Sequence, residues 1–317
     1  MNRPTAALRH LLAALAAGWA LAGCAVFPPV PTSPMLGVQN LASREIDELS
    51  GLVKSRTHPG VFWAHNDSGD SPRIFAVSAR GEVLGEFAVE GAESVDWEDI
   101  AIDDSGNLFL GDFGNNLNTR TDLRVYRVPE PDPRSKRRSI ESDLVLPYRY
   151  ADQNRRFDLA EFDYDAEALF HLDGALWIAT KHRSDRETQL YRLPLAEASS
   201  EPALRPVARL ALDESPVFGL DILGNVTGAD LHPDGRRLAL LTYDALFILT
   251  VERDSDVHAP PRFEIIRRIE LDTRHTRQVE AIAWDEDELL LGNEGGFLFR
   301  IADPLAPGPR RYPPEPE

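Results

Sequence analysis

The stretch Asp96-Trp-Glu-Asp-Ile-Ala101, followed after a short turn by Leu108-Phe-Leu-Gly-Asp112, is the pattern from which the fold can be predicted. The first half mixes acidic and apolar residues over the length of a strand, and the second half is a short apolar run that ends at Gly111 and Asp112. The same pair of runs occurs four more times along the chain. A pattern that returns at intervals of roughly 50 to 70 residues indicates a repeat architecture. We therefore take this pair as the centre of one structural unit.

The other four copies begin with the same polar–apolar–polar alternation. They are Glu48–Leu52 with Val61–Asp67, Asp165–Leu169 with Leu176–Lys181, Asn225–Asp230 with Leu238–Tyr243, and Gln278–Ala283 with Leu289–Asn293. A third run with an aromatic near its start follows each pair, and these aromatics are Phe75, Tyr126, Tyr191, Phe247 and Phe297. A weaker fourth run follows most units, as in Val83–Val89, Pro206–Leu212 and Phe263–Leu271.

Five four-stranded meanders in series predict an all-β chain. A single meander cannot bury both of its faces, whereas blades packed radially around an axis can. We predict a five-bladed β-propeller of four-stranded antiparallel blades over residues 37–303, with the segment near Gly37 to Ser43 adding the outer strand of the last blade. A six-bladed ring is the alternative, and it would need a sixth unit that the sequence does not supply.

The N-terminus carries Arg3 and Arg9 and then an apolar run from Leu11 to Ala22. A basic start, a short apolar core and small residues at the end are typical of a signal peptide. Cys24, the single cysteine, follows directly. The alternative is an ordinary signal peptide with a chance cysteine.

Leu21-Ala22-Gly23-Cys24 resembles the lipobox of bacterial lipoproteins. The resemblance implies that residues 1–23 are removed and that Cys24 is acylated, for example with palmitate. The protein would then be lipid-anchored in the cell envelope. Ala25 resembles the outer-membrane form of the sorting signal in a cell with two membranes.

Charge and proline content describe the rest of the chain. Residues 24–36 and 304–317 are Pro-rich, which predicts a stiff tether and a loose tail. With 52 acidic and 34 basic residues, the formal net charge is −18. Such a surface repels phosphate backbones, so nucleic acid is not an expected partner, whereas cations are favoured. We expect a monomer.

Propellers place the first strand of each blade along the central channel. One polar residue from the middle of each first strand would therefore line the axis, namely Ser50, Glu98, Glu167, Thr227 and Glu280. A second polar tier lies two residues earlier, at Glu48, Asp96, Asp165, Asn225 and Gln278. Three converging glutamates repel one another, and oxygen ligands suit Ca²⁺ as the counter-ion. The alternative is a channel that is only hydrated.

This order of serine, glutamate, glutamate, threonine and glutamate resembles the axial ring of the calcium-activated nucleotidase (apyrase) family. That resemblance implies a five-bladed propeller whose central Ca²⁺ is held by Ser50, Glu98, Glu167, Thr227 and Glu280. Thr227 stands where that family tends to have serine, and the match covers only the inner strands. His65-Asn-Asp-Ser-Gly-Asp70 and Trp97-Glu-Asp-Ile-Ala101 resemble a group of uncharacterised bacterial propellers, which implies fold and not activity.

Polar residues at the ends of the second strands would ring the same mouth of the channel. The candidates for ligand binding are Asn66, Asp67, Asp112, Asn116, Lys181, His182, Arg183, Tyr243, Asn293 and Glu294. The cationic run from Lys181 to Arg183 is the best candidate for holding a small anionic ligand. The alternatives are plain turn chemistry for the aspartates and asparagines, and a solvated hairpin end for the cationic run.

Two functions stay open at this point. The sequence has no nucleophile elbow, zinc-protease motif, Walker loop or dinucleotide fingerprint. It therefore shows no complete set of catalytic residues. We favour a binding module for an envelope protein or a small anionic ligand. The alternative is a Ca²⁺-dependent phosphohydrolase, in which Lys181 and Arg183 neutralise charge and Asp67 or Asp112 orients water.

Overall fold

The computed structural model describes residues 35–41, 45–153, 163–181, 187–197, 201–212, 224–256 and 259–306. The predicted signal peptide, Cys24, most of the tether, His182, Arg183 and most of the tail lie outside these residues. Within them, no helix has the length and apolar character needed to cross a membrane.

Strands make up nearly all of the regular structure. Blade 1 contains β2 (Leu49–Lys54), β3 (Val61–Asn66), β4 (Arg73–Ser78) and β5 (Val83–Glu90), and β9 (Ser139–Glu141) adds to it in parallel. Blade 2 contains β6 (Trp97–Ile102), β7 (Asn107–Asp112), β8 (Arg124–Pro129) and β10 (Leu144–Pro147). Blade 3 contains β12 (Asp165–Leu172), β13 (Ala175–Lys181), β14 (Glu187–Pro194) and β16 (Pro206–Ala211).

The last two blades complete the ring. Blade 4 contains β17 (Val226–Leu231), β18 (Arg237–Thr242), β19 (Ala245–Glu252) and β20 (Arg262–Glu270). Blade 5 contains β21 (Val279–Asp285), β22 (Glu288–Asn293), β23 (Phe297–Ile301) and β1 (Met35–Asn40). The minor elements are a parallel pair of β11 (Arg149–Tyr150) and β15 (Ala203–Leu204), a 3₁₀ turn (Leu195–Glu197) and a short α-helix (Thr273–Thr276).

The predicted five-bladed propeller is thus confirmed. The outer strand of blade 5 comes from the N-terminal side of the domain, as expected, and begins at Met35, two residues earlier than the predicted segment. Leu41 N donates a hydrogen bond to Gly296 O at 2.8 Å directly after that strand. Because β1 pairs antiparallel with β23, the two ends of the propeller chain close the ring.

The core consists of one apolar cluster between each pair of neighbouring blades. Trp63 of blade 1 and Trp97 of blade 2, for example, are both almost fully buried in one cluster. Five such clusters among the described residues correspond to the five blade interfaces. Each fully buried large apolar side chain contributes about 1.5–3 kcal/mol, so the interfaces hold the ring together without a disulfide.

A β-bulge interrupts the inner strand of every blade at the same place. In blade 1, Leu49 pairs with Asn66 and Gly51 pairs with His65, so Ser50 is the extra residue between them. The extra residues in blades 3 to 5 are Glu167, Thr227 and Glu280, and in blade 2 the extra residue falls within Glu98–Asp99. Bulges re-aim a side chain. The predicted axial positions are therefore also the positions at which strand pairing is interrupted.

Candidate functional site: an acidic mouth at the propeller axis

The five predicted axial residues are all less than a tenth exposed. The two hydroxyl residues join neighbouring blades. Ser50 Oγ donates a hydrogen bond to Glu98 O, and Thr227 Oγ1 donates one to Val279 O at 2.8 Å. Each hydroxyl thus links its own bulge to the inner strand of the next blade, and its oxygen keeps lone pairs that can still accept.

Carboxylates from blades 1 to 3 converge at the start of the inner strands. Asp67, Asp96 and Glu98, which we call the outer triad, each offer an oxygen, and these three oxygens lie within 4.8 Å of one another. Glu98, Asp165 and Glu167, the inner triad, meet the same condition. Glu98 belongs to both triads. This spacing would allow one cation to contact three carboxylates in either group.

Local backbone contacts hold these carboxylates in place. Asp67 N donates to Glu48 O at 2.8 Å, which ties the end of β3 to the start of blade 1. Phe113 and Gly114 donate their N–H groups to Asp96 O, each at 3.1 Å. A Cβ on Gly114 would lie 2.0 Å from Glu98 Oε1 and 2.4 Å from Asp96 Oδ2. The absence of a side chain at Gly114 therefore leaves room for two carboxylates of the outer triad.

Lys181 enters this acidic group from the end of β13. Its Nζ lies 2.6 Å from Glu167 Oε1, and both side chains are almost completely buried. The same Nζ lies 3.5 Å from Tyr243 Oη and 5.6 Å from the centre of the Tyr243 ring. Lys181 and the ring residue Glu167 therefore form a buried ion pair.

Tyr243 continues this network to blade 5. Its hydroxyl donates to Glu280 Oε1 at 3.1 Å, and Glu280 in turn shares a hydrogen bond with Glu294. Gln278 Nε2 donates to Glu294 Oε1 at 2.7 Å. The side of the mouth formed by blades 4 and 5 is thus a continuous hydrogen-bonded chain.

Seven carboxyl groups lie around one lysine at the mouth, and this crowding affects the pKa values of the carboxyl groups. Burial, reinforced by neighbouring carboxylates, raises the pKa of Asp96 to about 7. Burial raises the pKa of Glu167 to about 8, although the Lys181 ammonium opposes that change. The pKa values of Glu98 and Glu280 also lie well above their usual range, with burial as the main cause. A cation in the mouth would reverse these changes by favouring the charged forms.

Four other residues that the sequence predicts for ligand binding lie around the mouth, and three of them have contacts with neighbouring residues. Asn66 Nδ2 donates to Glu45 O and Asp70 Oδ2, and Asn293 Nδ2 donates to Thr276 O. Asp112 accepts from Asp96 N at 3.0 Å and forms an ion pair with Arg120. Asn116 is exposed on the same side of blade 2. These contacts support the loops around the mouth.

Two buried aspartates below the ring were missed by the sequence reasoning. Asp99 Oδ2 accepts from Leu169 N of blade 3 at 2.7 Å and from Ala229 N of blade 4 at 3.2 Å. Asp230 Oδ2 accepts from Trp284 N of blade 5 at 2.8 Å. Asp99 therefore links the inner strands of three blades, and Asp230 links those of two neighbouring blades. The available signal was an acidic residue inside an apolar strand, as in Trp97-Glu-Asp-Ile100.

No known protein family and no curated protein matches this sequence. Among solved structures, the major Malassezia sympodialis allergen Mala s 1 is similar at 9% identity with a TM-score of 0.51, over 83% of this chain and 95% of that chain. The β-propeller domain of Cps50 (Swd1) from Myceliophteria thermophila is similar at 10% identity with a TM-score of 0.45, over 85% of this chain and 99% of that domain. Identities this low concern the fold alone.

Proposed function

We propose that this protein is a binding module whose acidic mouth holds a divalent cation, Ca²⁺. The observation that carries this proposal is the charge at the mouth. Seven carboxyl groups lie near one ammonium, and they are Asp67, Asp96, Glu98, Asp165, Glu167, Glu280 and Glu294. Oxygen donors of this kind are the ligands that Ca²⁺ takes in proteins, and sites outside the cytoplasm often bind with Kd values of about 10⁻⁴–10⁻³ M.

The place of action in this proposal is the cell envelope. The lipobox-like sequence ending at Cys24 supports attachment to a membrane through a lipid, in the outer membrane of a cell that has two. The module would present its mouth to an envelope protein or a small anionic ligand, with Ca²⁺ completing the contact. A metal ion bound by acidic side chains can accept an anionic ligand that the acidic side chains alone would repel.

Calorimetric titration of the full-length chain with Ca²⁺ after removal of metals tests this proposal. The expected result is one saturable site and an increase in the free energy of unfolding on adding Ca²⁺. At a free concentration 100 times the Kd, the increase would be about 2.7 kcal/mol. If neither binding nor stabilisation is measured at about 10 mM Ca²⁺, ten times the weakest expected Kd, the proposal is wrong.

Hydrolysis of a phosphoester or phosphoanhydride is the second candidate. The convergent carboxylates of the mouth favour it, because a divalent cation held there would polarise a phosphoryl oxygen while a neighbouring carboxylate orients water. Lys181 weighs against it, since the Glu167 carboxylate already occupies its ammonium. A panel of nucleotides and phosphoesters, incubated with the protein and Ca²⁺, distinguishes the two functions. Turnover that disappears in the Asp96→Asn variant would favour the enzyme.

A further inference from the structure

The two triads at the mouth differ in whether they already hold a positive charge. We propose that the cation binds off the propeller axis, in the outer triad of Asp67, Asp96 and Glu98, while the Lys181 ammonium serves as the permanent cation of the inner triad. This inference rests on the proposed function and narrows it to particular ligands. It differs from a symmetric site in which all five bulge residues hold the ion.

The inner triad has its own partners. Lys181 Nζ contacts Glu167 Oε1 at 2.6 Å, and Asn115 N donates to Asp165 Oδ1 at 2.6 Å. Two of its three carboxylates are thus neutralised or hydrogen-bonded within the protein. A metal ion there would lie close to the Lys181 ammonium. That ammonium cannot move away into solvent, because the Lys181 side chain is only 7% exposed. Repulsion between the two cations disfavours that position.

The outer triad lacks such partners. Among the described residues, none of Asp67, Asp96 and Glu98 forms an ion pair, and Asp67 has only the N–H of the adjacent Ser68 as a hydrogen-bond donor. Glu98 is 4% exposed, and its carboxylate accepts no hydrogen bond from any residue that the structure describes. A buried carboxylate without a donor is costly, and it is the group that a cation would satisfy.

Access and space favour the same position. Asp67 and Asp96 are partly exposed, so an ion can reach them from solvent and keep bound water. Gly114 leaves open the volume next to Glu98 and Asp96 that any side chain would fill. Glu280, by contrast, already accepts from Tyr243 on the far side of Lys181. Glu280 is therefore assigned to the lysine network and not to the ion, and the Thr227 hydroxyl already donates to Val279 O.

Calcium titration of two kinds of variant tests the assignment. Asp96→Asn removes one charged ligand of the outer triad and should weaken Ca²⁺ binding by at least about tenfold. The double variant Lys181→Gln with Glu167→Gln removes the internal pair but leaves the net charge unchanged. Its Kd should stay within about threefold of the wild-type value, because a site that does not use those groups is nearly independent of them. Asp104→Asn, on an exposed hairpin turn, is the matched control for loss of one charge.

The outcomes separate this inference from the function on which it rests. If the wild-type chain does not bind Ca²⁺, both are wrong. If it binds, and the double variant loses binding while Asp96→Asn keeps it, the function stands and the outer-triad assignment is wrong. Glu98→Gln gives a second measurement should the double variant fail to fold. An unchanged Kd in Glu98→Gln would also overturn the assignment, since Glu98 is the least exposed of the three ligands.

Discussion

Lys181 Nζ lies 2.6 Å from Glu167 Oε1 in a part of the propeller that is almost closed to solvent. A lysine at the end of a second strand thus supplies positive charge to a bulge residue of the first strand in the same blade. The mouth is consequently divided into a half with an internal cation and a half without one.

Removal of the lysine alone should destabilise the protein. Lys181→Met leaves the Glu167 carboxylate buried without its partner, and breaking a buried pair in this way costs about 3–5 kcal/mol. Replacing both residues with methionine should recover most of that loss. Urea unfolding in EDTA measures the difference. Arg209→Met, which breaks an exposed pair with Glu187, is the control and should cost less than about 1 kcal/mol. A loss for Lys181→Met as small as the control value would contradict the buried pairing.

A methyl group at Gly114 should affect the outer triad directly. In Gly114→Ala the new Cβ would meet Glu98 Oε1 and Asp96 Oδ2, so both carboxylates must move. We expect Ca²⁺ affinity to fall by about tenfold and stability by about 1–3 kcal/mol. Gly295→Ala is the matched control, because its Cβ would meet no atom closer than 3.4 Å. Equal calcium affinities in the two variants would mean that the space beside Gly114 is not part of the site.

The hydroxyl of Thr227 should stabilise the contact between blades 4 and 5. Thr227→Val keeps the shape of the side chain but removes the hydrogen bond to Val279 O. A buried carbonyl left without its donor costs about 1–3 kcal/mol, whereas Thr227→Ser should retain most of the stability. Thermal unfolding of the two variants provides the comparison. If valine and serine are equally tolerated, the hydroxyl does not join the blades.

The stability of the chain should depend on pH through Asp230. Burial raises its pKa from 3.8 to about 7, although the positive charge of Arg56 and the hydrogen bond from Trp284 N oppose the rise. From about pH 4 to about pH 7, the folded chain therefore binds more protons at this site than the unfolded chain. The free energy of unfolding falls as pH rises through that window, and the contribution is fully present only below it.

Asp230→Asn removes this titration while keeping an oxygen that can accept from Trp284. In EDTA, the variant should gain stability relative to the wild type between about pH 4 and about pH 7, by an amount on the order of a few kcal/mol. Urea unfolding at a series of pH values measures this difference. A difference that is constant across the series would show that Asp230 is already ionised in the folded chain at low pH.

Much of the fold could be predicted from sequence because the five repeats are recognisable in the order of polar and apolar residues. The inner strands, the aromatics of the third strands and the outer strands at Val83, Pro206 and Phe263 all lie close to their predicted places. Each apolar residue just before an axial position, such as Trp97 or Val279, is indeed in the core. Alternation along a strand was sufficient to place these side chains on the two faces.

The arrangement inside the mouth could not be predicted in the same way. The bulges that aim Glu167 and Glu280 depend on hydrogen-bond register between strands, which a pattern along one strand does not contain. The sequence predicts an anionic ligand for Lys181, but no sequence rule indicates that its ammonium also pairs with a glutamate fourteen residues earlier, on the neighbouring strand. Asp99 joins three blades through contacts 70 and 130 residues away in sequence. Such contacts exist only once the ring has closed.

Locating the ion tests the outer-triad site most directly. Crystals of the protein grown with Ca²⁺, and matched crystals grown with EDTA, would be compared by anomalous diffraction. We predict one calcium peak bound by carboxylate oxygens of Asp67, Asp96 and Glu98, with Lys181 still paired to Glu167. A peak on the axis, contacted by Glu167 and Glu280 with Lys181 displaced, would contradict this prediction.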